Sequence, residues 1–176
     1  MKKSTALFIL ILFLIGSCQE NKVPVDQAGM NRETTIDDEK MLIGPIDRAG
    51  FQMEEYKSWF DSTYQAYDPK DSILTLIRGK LENVSLQVFI GSWCSDSQRD
   101  VPALFRILDE LETQTPALNM IAIDRSKTLP ESELEGYDIE YVPTFIIYRD
   151  TLELGRIVEV PEQTLEEDLL SLLVQQ

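Results

Sequence analysis

The most informative absence in this 176-residue chain is histidine, which does not occur at all. Without an imidazole the chain can form no Cys–His pair, no histidine metal site and no imidazole base. Positive charge is also scarce, because 16 Lys and Arg stand against 31 Asp and Glu, for a formal net charge of −15. This excess of acid argues against binding to nucleic acid or to anionic lipid. We therefore predict no metal site, no cofactor and no nucleic-acid partner.

Cysteine is scarce as well, and the first of the two cysteines ends an N-terminal segment typical of exported proteins. Two lysines precede an apolar run at residues 6–15. As a helix this run would be about 15 Å long, half of a hydrocarbon core of about 30 Å. It ends in Gly16-Ser17-Cys18, which resembles a bacterial lipobox. We predict that residues 1–17 are a signal peptide and that lipid is attached to Cys18, with an ordinary signal peptide as the alternative. The lipid would anchor the protein in the membrane of the bacterial cell envelope, on the periplasmic or outer-surface side.

Composition divides the rest of the chain into a tether and a globular part. Residues 18–40 are polar and lack a sustained period, which predicts a flexible tether. Residues 41–83 are predicted to form an N-terminal helical extension of the domain. Its first part, the apolar patch at 41–46, is expected as an edge strand or an extended segment packed on the domain, and a second helix is expected to open at Asp68-Pro69. Aromatic residues recur here at helical spacing, and such a stripe usually packs into a core. Its members are Tyr56, Trp59, Phe60, Tyr64 and Tyr67.

The pattern of residues 84–176 predicts an α/β core. An apolar strand at 84–90 precedes a helix at 94–112 and a second strand at 117–123. A polar loop at 126–140 follows, with a short helix at 131–135. Two strands at 145–148 and 152–160 then form a pair with a bulge at Gly155. Thr164 and Glu167 form a capping box at the start of a closing amphipathic helix.

The second cysteine, Cys94, falls between the strand at 84–90 and the helix that follows it. The first turn of a helix offers unpaired N–H groups and the positive end of the helix dipole, and both favour a thiolate. A thiolate is the nucleophilic form of cysteine. We therefore take Cys94 as the candidate nucleophile.

The residues around Cys94 resemble the active site of the thioredoxin superfamily. Trp93-Cys94 followed by Ser97 is similar to the Trp-Cys-x-x-Cys motif with its second cysteine replaced. Pro102 matches the proline within the active-site helix of that family, and Val142-Pro143-Thr144 matches its cis-proline loop. Within this superfamily, the chain most resembles the thioredoxin-like bacterial lipoproteins that have a Trp-Cys-x-Asp-Ser site.

The resemblance implies a thioredoxin-like α/β fold, with a central mixed sheet flanked by helices over residues 84–176. It implies that the Val142–Pro143 bond is cis and lies opposite Cys94. It also implies catalytic roles for Cys94 and Ser97. The expected substrate-binding residues are Trp93, Asp96, Val142, Pro143 and Thr144.

Two positions depart from the family pattern. Ser97 cannot resolve a mixed disulfide, and Val88 stands where many thioredoxins bury an acid that assists the resolving cysteine. We expect the Ser97 hydroxyl to point at the Cys94 sulfur and stabilise its thiolate. The carboxylate of Asp96 should oppose that effect, because it disfavours a second negative charge nearby.

Three classes of function remain open on these residues. The first is monothiol thiol–disulfide exchange through Cys94, with protein or small-molecule thiols and disulfides as partners. The second is a thioredoxin-fold module that binds peptides or proteins without redox chemistry. The third, a one-cysteine peroxidase, lacks its usual sequence context, because Gln87 and Gly91 occupy the positions of the expected Pro and Thr or Ser.

Overall fold

A computed structural model describes residues 29–112 and 115–175. In these ranges six strands form one sheet in the order β1-β2-β4-β3-β5-β6, accompanied by five helices and a short 3₁₀ turn at Gly50–Gln52. No helix in the described ranges has the length and apolar character needed to cross a membrane. The strands are β1 (Arg32–Ile36), β2 (Glu39–Ile46), β3 (Val84–Ile90), β4 (Ala117–Ala122), β5 (Thr144–Arg149) and β6 (Leu152–Val158). The helices are α1 (Glu54–Ala66), α2 (Asp71–Arg78), α3 (Ser95–Glu110), α4 (Glu131–Leu134) and α5 (Leu165–Val174).

The strand that leads to Cys94 lies inside the sheet. β3 runs parallel to β4 and antiparallel to β5, and β5 continues into the antiparallel strand β6. The sheet is therefore mixed, as predicted. The unit β3-α3-β4, followed by the β5–β6 pair and α5, is the thioredoxin-like arrangement. The predicted α/β thioredoxin-like fold is confirmed.

The two faces of β3 belong to two separate cores, as the period-two geometry of a strand requires. Leu86, Val88 and Ile90 lie in the larger core, which is shared with α1, α2, α3 and α5. Phe89 lies in the smaller core, where it packs with residues of the β4–β5 connection, including Val142. Cys94 and Trp93 pack against this smaller core. The thiol therefore lies against the smaller core, just beyond the carboxyl end of β3.

The first two strands form a hairpin that the sequence did not predict. β1 pairs with β2 through a two-residue turn at Asp37 and Asp38, and both turn residues have positive φ (51° and 62°). Such a turn follows the natural twist of paired strands. The tether predicted for residues 18–40 is therefore wrong from Arg32 onward; residues 18–28 lie outside the described ranges. β1 escaped detection because it is a polar, mostly exposed edge strand held by main-chain hydrogen bonds.

The helical extension predicted for residues 41–83 also needs a correction. Residues 41–46, expected as an edge strand or an extended segment, belong to β2. This strand pairs with both β1 and β4 and so lies inside the sheet, and helical structure begins only at Gly50. The apolar residues of β2 face the interior, and Met41 and Leu42 are fully buried. The second helix begins at Asp71 instead of at the Asp68-Pro69 pair.

The aromatic stripe of α1 packs into the larger core, as predicted. Phe60 stacks on Phe51 with ring centroids 5.1 Å apart and meets Phe105 of α3 edge-on at 5.6 Å. Aromatic pairs in these geometries add about 0.5–1.5 kcal/mol each beyond area burial. The cluster fixes α1 against α3 and thereby supports the helix that begins next to Cys94.

The C-terminal elements agree with the sequence predictions. The register of β5 and β6 shifts beside Gly155, which is the predicted bulge. A Cβ atom at Gly155 would lie 2.6 Å from Leu172, so the glycine permits close approach of α5. The N–H of Thr164 donates to the Glu167 carboxylate at 3.2 Å, and the predicted capping box is present.

Candidate functional site

Cys94 is the N-cap residue of α3, directly after the turn that follows β3. Its N–H donates to the carbonyl oxygen of Gly91 at 2.9 Å, which closes this turn. A Cβ atom at position 91 would lie 2.5 Å from the Trp93 ring, so only glycine fits beneath the indole. The thiol is free and half-buried. Cys94 is therefore a partly exposed residue at the first turn of α3.

The cis-proline loop lies against the thiol. The Val142–Pro143 bond is cis, as predicted. The Cys94 thiol donates to the carbonyl oxygen of Val142 at an Sγ–O distance of 3.2 Å. Val142 and Thr144 are both buried, and the Thr144 hydroxyl donates to the carbonyl of Tyr141 at 2.7 Å. The Thr144 side chain therefore holds the loop in place, and the Val142 backbone is the part of the loop that reaches Cys94.

The position of Ser97 differs from the expectation. Its side chain is 1% exposed, and its hydroxyl accepts the N–H of Gly91 at 3.2 Å. Among the described residues Gly91 is the only hydrogen-bond partner of this hydroxyl, and no bond to the Cys94 sulfur is formed. The prediction that the hydroxyl points at the sulfur is therefore wrong, because the buried N–H of the turn needs an acceptor. Ser97 instead stabilises the turn that carries Cys94.

Val88 is fully buried in β3 and supplies no acid beneath the site. In the described part of the chain Cys94 is also the only cysteine, since Cys18 lies outside it. Among the described residues, the site thus has neither a resolving thiol nor an acid at position 88 to assist one.

The negative charge of Asp96 is matched by Arg99. The guanidinium of Arg99 contacts the Asp96 carboxylate at 2.6 Å and the Asp100 carboxylate at 2.7 Å. Asp100 is 5% exposed, and burial raises its pKa even though Arg99 opposes that shift. Because Arg99 offsets Asp96, the repulsion that we expected between Asp96 and a thiolate is reduced.

The indole of Trp93 is fixed on two sides by groups that the sequence did not single out. Its Nε1–H donates to the carbonyl oxygen of Ile123 at 2.8 Å. The guanidinium carbon of Arg125 lies 4.7 Å from the ring centroid. Arg125 is in turn held by Glu39 at the start of β2, with N–O distances of 2.5 and 2.7 Å. Sequence reasoning missed both residues because they lie 86 positions apart and only the hairpin brings them together.

A second contact joins the hairpin to the site. The N–H of Leu42 in β2 donates to the buried hydroxyl of Ser92 at 3.0 Å, and Gln98 donates to the Ser92 carbonyl at 2.8 Å. Beside this contact a cleft of about 730 Å³ opens between the hairpin, α1 and the Ser92–Trp93 turn. Its walls include Asp37, Glu55, Tyr56 and Trp93.

The loop after β4 is closed by Asp124, which is 4% exposed. Its carboxylate accepts the N–H groups of Thr128 at 2.8 Å and Leu129 at 2.9 Å, and the hydroxyl of Ser126. Burial alone would raise the pKa of Asp124, but these hydrogen bonds together outweigh burial and hold the pKa below its usual value. Asp124 therefore fixes the segment that carries Arg125.

The chain matches no family model and no curated protein. It is similar in structure to a protein of unknown function from Pseudomonas aeruginosa, at 19% identity and a TM-score of 0.51, over 71% of this chain and 77% of that one. It is also similar to an HIV epitope-scaffold, at 19% identity and a TM-score of 0.50, over 74% of this chain and 83% of that one. For thioredoxin f2 of Chlamydomonas reinhardtii the identity is 17% and the TM-score 0.36, over 52% of this chain and 81% of that one. Likeness at these identities concerns the fold alone.

Proposed function

We propose that the protein carries out monothiol thiol–disulfide exchange through Cys94. The observation that supports this most directly is the half-buried thiol at the N-terminus of α3, in contact with the carbonyl of Val142 in the cis-proline loop. The helix N-terminus favours a thiolate, and partial exposure lets a disulfide reach it. The expected partners are proteins or small molecules that carry thiols or disulfides.

The proposed reaction has two exchange steps. The Cys94 thiolate attacks one sulfur of a substrate disulfide, a Cys94–S–S–R bond forms, and the other half leaves as a thiolate with the electron pair of the broken bond. A second, external thiolate then attacks the mixed disulfide. It forms a disulfide with R and releases Cys94 as a thiolate. Because Ser97 has no sulfur, the second step requires this external thiol.

The test is incubation with glutathione disulfide, followed by mass spectrometry of the intact protein. A Cys18→Ser background leaves Cys94 as the only cysteine. We expect one glutathione adduct per chain, which persists until free glutathione is added and then disappears. The Cys94→Ser variant in the same background should form no adduct.

The exchange proposal is refuted by a native chain that forms no adduct and resists a small alkylating reagent until it is denatured. Such a result would mean that Cys94 is not accessible in the folded protein.

A second candidate function is a partner-binding module without redox chemistry. It is favoured by the combination of Ser97, Val88 and the cleft beside Trp93, since none of these assists a redox cycle. This candidate predicts that the Cys94→Ser variant binds a partner as well as the unaltered chain does. It also predicts that no mixed disulfide with that partner appears on a non-reducing gel.

We further propose that the protein is a lipoprotein of the bacterial cell envelope, attached to the membrane through Cys18. The order of two lysines, an apolar run and Gly16-Ser17-Cys18 supports this proposal. Mass spectrometry of the mature N-terminus is the test. A mature chain that begins at a lipid-modified Cys18 is the expected result, and an unmodified chain that begins elsewhere refutes it.

A further inference from the structure

We propose that Arg125, held by Glu39 of the β1–β2 hairpin, positions the Trp93–Cys94 turn and places a positive charge over Trp93, the residue before Cys94. This inference rests on the proposed exchange chemistry of Cys94. It assigns to the N-terminal hairpin a part in that chemistry.

The geometry of Arg125 is set from two directions. The guanidinium lies over the face of the Trp93 ring at 4.7 Å, a distance at which a cation is attracted by the π-electrons. Two of its nitrogens bind the two carboxylate oxygens of Glu39, which is the bidentate arrangement that holds an arginine in a fixed plane. A lysine could reach one oxygen of Glu39 but could not reproduce both contacts.

Trp93 connects Arg125 to the turn that carries the thiol. The indole is fixed on a second side by its hydrogen bond to Ile123, and its ring covers Gly91 so closely that no Cβ atom fits there. Gly91 accepts the N–H of Cys94 and donates to Ser97. Arg125, Trp93, Gly91 and Cys94 therefore form one continuous set of contacts.

The charge of Arg125 acts on the same site. Its hydrogen bond to Glu39 is the main cause that raises the pKa of Arg125. Burial opposes this rise, and Coulomb attraction to Glu39 adds to it. The guanidinium lies over the ring of Trp93, the residue before Cys94, and its positive charge attracts anions toward this part of the site. The other nearby cation, Arg99, is already matched by Asp96 and Asp100. Glu39 in turn partly masks the charge of Arg125.

The test compares the alkylation rates of Cys94 with anionic iodoacetate and with neutral iodoacetamide, in the full chain with Cys18→Ser. The charge of Arg125 over Trp93 attracts anionic iodoacetate but not neutral iodoacetamide, so its removal in Arg125→Gln should lower the iodoacetate-to-iodoacetamide ratio about two- to fivefold. Glu39→Gln, which unmasks the charge, should raise the ratio. Arg125→Lys should keep the ratio near that of the parent chain, while the absolute rates change because the Trp93 contact is altered.

Arg78→Gln is the matched control, since it removes the same charge at the far end of α3. Arg78 donates to the carbonyl of Glu110, the last residue of α3, about 24 Å along the helix from Cys94. The ratio for this variant should be unchanged. The Arg125→Gln effect should also shrink as salt rises, because screening weakens a charge effect but not a packing effect.

Two results overturn the inference and can be told apart. If Arg125→Gln lowers both rates equally and leaves the ratio unchanged, Arg125 does not act on the thiol through its charge, while the exchange proposal stands. If Cys94 of the parent chain resists both reagents, the exchange proposal fails and this inference fails with it.

Discussion

The buried carboxylate of Asp124 closes the loop that follows β4, and replacing it tests how that loop is stabilised. In Asp124→Ala, the N–H groups of Thr128 and Leu129 and the hydroxyl of Ser126 lose their acceptor. Hydrogen bonds to a charged group contribute about 1.5–3 kcal/mol each, but water can reach an exposed loop and replace part of each one. We therefore expect a loss of about 2–3 kcal/mol in the free energy of unfolding. For a domain of this size that loss lowers Tm by about 4–12 °C.

Asp124→Asn is the matched variant, because its amide oxygen can still accept both N–H groups while the charge is removed. It should cost no more than about 1 kcal/mol at neutral pH. The charge itself is visible in the dependence of stability on pH. Since the folded pKa of Asp124 lies below its unfolded value, the ionised carboxylate stabilises the fold above the unfolded pKa. That contribution is lost as the pH falls through the folded pKa, so stability should fall less on acidification in Asp124→Asn than in the parent chain.

The assay is urea unfolding followed by circular dichroism at several pH values, from neutral to well below the ordinary aspartate pKa of about 3.9. Two results would refute the reasoning. One is an Asp124→Ala variant within about 0.5 kcal/mol of the parent chain, a difference typical of surface changes. The other is an Asp124→Asn variant as unstable as Asp124→Ala, which would mean that the charge, and not the acceptor geometry, holds the loop.

Two further substitutions test other parts of the structure. The phenol of Tyr67 donates to the carboxylate of Glu166, which is 1% exposed, so Tyr67→Phe should lower the free energy of unfolding by about 1.5–3 kcal/mol in urea unfolding. A smaller loss would indicate that water replaces the phenol at Glu166. Ser97→Cys should give the site a second sulfur one helical turn from Cys94, so mild oxidation should produce an internal disulfide, detected by mass spectrometry as the loss of two hydrogens. The same variant should be about 1 kcal/mol less stable when reduced, since sulfur is a weak acceptor for the Gly91 N–H.

The elements predicted well from the sequence are those with a strong apolar period. β3, α3, β4, α5 and the stacked aromatics of α1 combine buried residues at regular spacing with clear ends, and all were expected close to their observed positions. The cis Val142–Pro143 bond and its contact with Cys94 followed from the family resemblance. The resemblance rests on a few residues. It predicted that the loop lies opposite Cys94, but it did not predict the hydrogen bonds around the loop.

The elements missed from the sequence depend on contacts between distant residues. β1 carries no apolar period, because main-chain pairing rather than side-chain burial holds an edge strand. The Glu39–Arg125 pair exists only because the hairpin brings β2 to the loop after β4. Ser97 was expected at the sulfur because spacing shows which residues are near each other, but competition for an acceptor decides where a hydroxyl points.

The unequal edges of the sheet bear on how the protein behaves at high concentration. An exposed, flat strand edge is a template on which another chain can add a strand, and this is a common route to aggregation. At one edge, β1 is only five residues long and includes the charged Arg32 and Glu33. At the other edge, the bulge beside Gly155 interrupts the regular register of β6. Neither edge offers a long regular template, and together with a net charge of −15 this favours a chain that stays dispersed even though Leu152 and Val158 are exposed on β6.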